Sequence, residues 1–126
     1  ENSKGVISAR WEKELSGPEF AADPGMKDFK AFAAKYMPRV NPEDKTATPG
    51  YVSAYAIAEV LRRCGNELTR ENLLKQATSL KGFAIPLLLP GVTLTNSPDD
   101  YTAYHAMEIM RFDGERWAGL GDLIRI

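Results

Sequence analysis

The side chains able to do chemistry here are few. There is one histidine, His105, and one cysteine, Cys64. A hydroxyl or thiol nucleophile needs a base within hydrogen-bond reach. His105 sits instead in a strand-like run, beside no nucleophile motif, and reads as a packed or solvated side chain. Cysteine–histidine metal sites need more ligands than one of each. The acidic pairs Glu43–Asp44 and Asp99–Asp100 lie in proline-containing polar loops, where adjacent carboxylates serve as solvated caps and turns. Neither NPEDK nor SPDDY has the regular acidic spacing and central glycine of a calcium loop. GLGD at 119–122 is too short to cradle a phosphate, and neither GxGxxG nor GxxxxGK[ST] occurs. No catalytic residue, metal site or cofactor is expected, and the chain reads as a non-enzyme.

What remains is binding chemistry at helix starts and strand ends, where α/β proteins hold their ligands. Tyr51 follows Pro49-Gly50 at the mouth of a helical pattern. Gly50 would let a ligand approach the backbone, and the free N–H groups of a first helical turn can receive a carboxylate. The competing reading is an aromatic ring that covers the helix end.

These residues depend on three helical patterns. Asp23 is placed to cap a helix with Pro24 at its first position. Met26, Phe29, Phe32, Ala33, Tyr36 and Met37 then recur at spacings of three and four, and Pro38 ends the run. NPEDKTATPG (41–50) reads as a polar loop. The second helix is expected from near Gly50–Tyr51 to Cys64, with Gly65 after its end and Arg62 and Arg63 in its last turn. Val52, Tyr55, Ala56, Ile57 and Ala58 make it apolar around much of its circumference, so burial between layers is expected. Thr69 caps a third helix with Leu73, Leu74, Ala77 and Leu80 as its apolar face and Gly82 as its stop. The short link NELTREN predicts that helices two and three are neighbours.

Strand signals sit at the two ends. GVISARW (5–11) reads as a short strand, and GVTLT (91–95) as a brief one. Residues 104–112 alternate towards Asp113-Gly114, a hairpin signal, with Trp117 beginning the return. No partner strand for this hairpin is evident nearby, and a lone two-stranded ribbon is marginal in water. The pattern is short of sheet for an α/β domain, the first sign of an incomplete fold.

Composition sets the outer bounds. At 126 residues the chain has room for one domain. With 16 basic against 17 acidic residues the net charge is −1, which makes no case for nucleic acid. The longest apolar run, FAIPLLLPGV, is broken by two prolines and is too short for a membrane helix. Cys64, ending EVLRRC, is expected to be a partly buried small residue. The start on Glu1 suggests that something upstream has been removed.

Several segments fit together. DPGMKDFKAFAAKYMP, GYVSAYAIAEVLRRCGNELTRENLLKQATSLKGF, LLPGVTLTNSPDDY and MEIMRFDGERW, in that order, resemble the carboxy-terminal third of a bacterial ABC-transporter solute-binding protein. The type is the branched-chain amino acid (Leu/Ile/Val) receptor, a periplasmic binding protein of type I. The combination of GY before helix two, CG-x₂-LTREN, LLPG and MRFDG-x-RW carries the likeness; each alone is weak.

The resemblance implies an α/β fragment of a two-lobed protein. Residues 1–10 would be a crossing strand from lobe 2, 11–103 the carboxy-terminal part of lobe 1, and 104–126 a crossing segment and β-hairpin of lobe 2, the hairpin pairing with a sheet whose other strands lie outside this sequence. It implies Tyr51, with Gly50, as lining the ligand cleft, and Trp11 and Arg10 in a cleft or hinge position. The groups that usually hold an amino acid's carboxylate and ammonium would lie in parts not present here.

The implied function is the substrate-binding component of an ABC importer. It would capture a small amphipathic solute, such as a branched-chain amino acid, and deliver it to an inner-membrane permease by lobe closure. Aromatic acids or amides are alternative ligands, and a ligand-sensing regulatory module is an alternative use of the fold. The implied location is the periplasm, the parent being exported by a signal peptide absent from this chain. Implied partners are the ligand, the permease, and either the remainder of the receptor or a second copy.

Overall fold

A computed structural model describes residues 3–41 and 44–126. Glu43 of the first acidic pair, and the first two residues of the expected crossing strand, lie outside these. Helix α1 runs Pro24–Tyr36. The Asp23 carboxylate accepts a hydrogen bond from the Met26 N–H at 3.0 Å, and Pro24 brings no N–H needing a partner. Met26, Phe29 and Ala33 are buried along one face, while Phe32 and Tyr36 at its margin are exposed.

Helix α2 spans Thr48–Cys64 and α3 spans Arg70–Ala77. The expected start of α2 at Gly50–Tyr51 is too late. A 3-10 turn over Lys45–Ala47, capped by the Asp44 carboxylate, runs straight into Thr48 and shortens the polar loop. Gly65 ends α2 with a φ of +57°, the left-handed region that glycine tolerates. Thr69 caps α3, and the Asn72 amide donates to the carbonyls of Cys64 and Glu67, so the two helices are neighbours as their short link predicts. Cys64 is buried.

Two expectations about these helices are corrected. Helix α2 is not sandwiched: it buries Thr48, Val52, Val60 and Cys64, while Tyr55, Ile57 and Leu61 are exposed. Helix α3 stops at Ala77, short of Gly82, and buries none of its residues; Leu73 and Leu74 face solvent. The cause is where the core lies. Ile85, Leu87, Leu88, Leu89, Val92 and Leu94, from the irregular proline-punctuated segment, pack directly against Met26, Phe29 and Val52. That segment covers one flank of α2, and no second layer of described residues covers the other.

The sheet comprises β1 (Ile7–Arg10), β2 (Ala106–Phe112), β3 (Trp117–Gly119) and β4 (Ile124–Arg125). Its order is β1-β2-β3, with β4 pairing the beginning of β2, and every pairing is antiparallel. The hairpin therefore has a partner strand within this chain, contrary to expectation: Ile7 faces Arg111 and Arg10 faces Glu108. Alternation locates strands but says nothing about which distant segment pairs with which. GVTLT forms no strand; Leu94 makes only isolated bridges to Phe83 and Tyr104. The hairpin loop occupies residues 113–116. The Asp113 carboxylate accepts from the N–H groups of Glu115 and Arg116, and Gly114 takes a φ of +112°. His105 places Nε2 3.0 Å from the Thr95 carbonyl. No helix of the described residues is long and apolar enough to cross a membrane.

Candidate functional site

Strand β1 delivers Arg10, Trp11 and Glu12 to the junction between the sheet and the helices. Past Arg10 the chain leaves β2 and pairs with the core segment: Leu89 N–H donates to the Trp11 carbonyl and Lys13 N–H to that of Leu87, both at 2.9 Å. Trp11 is thereby held with its ring stacked on Tyr104, centroids 5.4 Å apart and planes 22° from parallel. Burial, then the nearby Glu12 carboxylate, pushes the Tyr104 phenol up.

Glu12 fastens the start of α2 to this junction. Thr48, buried at the first helical position, donates its hydroxyl to Glu12 Oε2 at 2.6 Å. Trp11, Glu12, Thr48, Pro49, Lys45 and Met110 border a concavity of about 230 Å³. It offers an aromatic wall, a carboxylate and a lysine within one small volume, a set suited to an amphipathic solute with a polar end.

Gly50 and Tyr51 lie on another side of the same helical turn. Tyr51 meets Phe29 and Phe32 edge to face, at 5.1 and 5.2 Å, and Tyr55 at 6.2 Å. Phe32, Tyr51 and Tyr55, together with Gly50, Met37 and Ala54, line an apolar concavity of about 410 Å³, with Phe29 buried behind them. Burial raises the Tyr51 phenol, with Tyr55 and Asp28 adding to it. Gly50 has open space where a Cβ would stand, so approach to the backbone is unobstructed there.

The four residues singled out in the sequence thus fall in two pairs. Trp11 and Arg10 border one concavity, Gly50 and Tyr51 another, and the first turn of α2 separates them. Arg10 is 6% exposed, and its guanidinium is engaged. Nε donates to Glu108 and Nη2 to Glu19, both at 2.7 Å. Burial works against its charge, and the bonds to Glu108 and then Glu19 more than offset this, holding its pKa above the ordinary value. Glu12, Thr48, Tyr104 and Glu108 were not legible as site residues. The one available signal was charge: Arg10 and Glu108 are opposite signs on two strand-like runs, a cross-strand pair once β1 and β2 are known to be adjacent.

The architecture of the described residues is a set of three α-helices packed with an irregular apolar segment beside a four-stranded antiparallel sheet. No family model matches the sequence, and neither does any curated protein. Among solved structures, the chain is similar to a branched chain amino acid ABC transporter from Thermus thermophilus with bound valine. The TM-score is 0.76 at 18% identity, over 98% of this chain and 34% of that one. The chain therefore spans about a third of the length of the structure it matches.

Proposed function

We propose that this chain is the carboxy-terminal part of a solute-binding receptor of an ABC importer. In this reading residues 1–10 and 104–126 belong to one lobe and residues 11–103 to the other. The Trp11–Tyr104 stack then lies where the chain crosses between them. The ligand is a small amphipathic solute, a branched-chain or related amino acid, gripped when the lobes close. Trp11 and Arg10 contribute from the crossing, Gly50 and Tyr51 from the start of α2. The receptor works in the periplasm and hands its ligand to an inner-membrane permease, with no chemical step of its own.

The single observation carrying this reading is the match over 98% of the chain to a transporter structure holding valine. The junction geometry supports it, because an aromatic wall and polar groups meet between sheet and helices. Calorimetry against L-valine, L-leucine and a panel of aromatic acids and amides tests it, applied to the 126-residue chain and to the complete receptor carrying it. The receptor is expected to bind one of these solutes, with the chain alone at least about a hundredfold weaker because it lacks much of the cleft. Tight binding by the isolated chain, or none by the complete protein, overturns the reading.

A further inference from the structure

Arg10 keeps one guanidinium nitrogen unpartnered among the described residues. Its Nη1 is buried and has no hydrogen-bond partner among the described residues, although Nε and Nη2 both meet carboxylates. A buried guanidinium N–H that has given up water without gaining a partner is uncommon and calls for a cause. The two carboxylates are held very differently. Glu108 is 17% exposed and lies across Gly119 of β3, where an added Cβ would collide with its carboxylate. Glu19 is 45% exposed and rides on a short 3-10 turn, Pro18–Phe20. Glu19 is the partner free to leave.

Beside this pair lies a cavity of about 400 Å³, bordered by Arg10, Glu19, Phe20, Asp122 and Leu123. Its lining combines a cation, carboxylates and an apolar wall.

We propose that Glu19 stands on Arg10 in the place of a ligand carboxylate, and that a small zwitterion with an apolar body displaces it from this cavity. Exchanging one carboxylate for another leaves the local charge unchanged. The incoming carboxylate takes the Nη2 donor that Glu19 vacates and, with Glu19 gone, reaches Nη1, which is closed to solvent while Glu19 is in place, as the second prong of a paired contact. Glu19 swings into water at little cost, being half exposed already. The ligand's ammonium faces Asp122, and its body lies against Phe20 and Leu123. Gly119 serves the site indirectly, by leaving room for Glu108 to hold Nε and so fix the fork. The inference deepens the receptor reading and rests on it for the ligand class.

NMR titration of the 126-residue chain, which reads millimolar affinities, tests it with L-valine, isobutyrate (no ammonium) and isobutylamine (no carboxylate). Glu19→Gln conserves shape at a half-exposed position and is expected to keep the fold, with a modestly lower melting temperature from the lost bond to Arg10, while tightening valine about tenfold. Arg10→Lys in that background keeps the charge, lacks the fork and should abolish the gain. Asp122→Asn should weaken valine and leave isobutyrate unaffected, and isobutylamine should bind no better to E19Q than to the parent. Equal valine affinity in parent and E19Q, or a gain that survives R10K, overturns the inference. Valine binding that is lost in Trp11→Ala yet indifferent to Glu19 also overturns it, and leaves the receptor reading standing.

Discussion

Trp11 stacks on Tyr104 at 5.4 Å with ring planes 22° apart, joining the exit of β1 to the approach to β2. The same two strands pair from Ile7–Arg111 to Arg10–Glu108, so the stack extends the ladder after backbone pairing between them has ended. Removing either ring should cost about 1–2 kcal/mol, the pair contribution together with some lost apolar contact. Urea unfolding of Trp11→Ala, Tyr104→Ala and the double variant measures it. A double-variant loss equal to the sum of the two single losses would show that the rings do not act as a pair.

Gly25 should tolerate no side chain. A Cβ there would collide with the Pro86 ring and stand 2.8 Å from its carbonyl oxygen, at the point where the first turn of α1 meets the core segment. Gly25→Ala is expected to destabilise by about 2–3 kcal/mol through forced separation of the two, despite alanine's better helix propensity. Thermal melts of G25A, with Gly50→Ala in open space as the contrast, decide this; equal melting temperatures would count against the packing described.

Acid stability should depend on Lys13. Its ammonium donates to Asp23 Oδ2 at 2.7 Å and to the Pro86 carbonyl at 2.6 Å. The Lys13 bond chiefly, aided by the Met26 N–H, holds the Asp23 carboxyl below its ordinary value. A folded-state pKa below the unfolded one contributes stability that is present above about pH 4 and is lost as pH falls through the folded value. Lys13→Met removes the main cause, so stability measured by denaturant at successive pH values should fall less steeply on the acid side. An unchanged slope would show that Asp23 owes its low pKa to the helix cap alone.

Glu59 should titrate near pH 2. Hydrogen bonds from Arg62 and then Arg63, at 2.7 and 2.8 Å, hold it down to about 2. Its contribution is present above the ordinary glutamate range and fades only as pH falls towards that value. Carboxyl-carbon NMR titration should show the midpoint rising in Arg62→Ala and rising further when Arg63 is also replaced. Added salt should move it in the same direction, because the pair on Arg62 is largely exposed.

Local rules were legible in the sequence, because each acts within a few residues. Asp23-Pro24 caps α1, Thr69 caps α3, Gly65 ends α2 and Asp113-Gly114 turns the hairpin, all as the side-chain chemistry of those positions requires. The resemblance carried by GY, CG-x₂-LTREN, LLPG and MRFDG-x-RW predicts the architecture that the structural match shows. Of the four site residues, Gly50 and Tyr51 follow from the helix start and Trp11 and Arg10 from the crossing that the resemblance implies; the structure divides them, Gly50 and Tyr51 lining one concavity and Trp11 with Arg10 another, with Arg10 bordering a further cavity as well.

Burial, pairing and partners were decided only in three dimensions. Helix α2 has apolar residues on most of its circumference, yet which of them are buried depends on what lies alongside, and the loop-like run Ile85–Leu94 covers Val52 and Val60 while leaving Ile57 exposed. The β1–β2 pairing joins the two ends of the chain, and no periodicity within either strand specifies it. Arg10 lies in the sequence within an expected short strand; folding makes it a buried cation shared by Glu108 and Glu19, its Nη1 without a partner among the described residues. Sequence determines what each segment tends to form, since backbone preference is local. Which faces meet, and so which charges are paired and which cavities exist, follows from long-range packing, where contact is set by the whole chain at once.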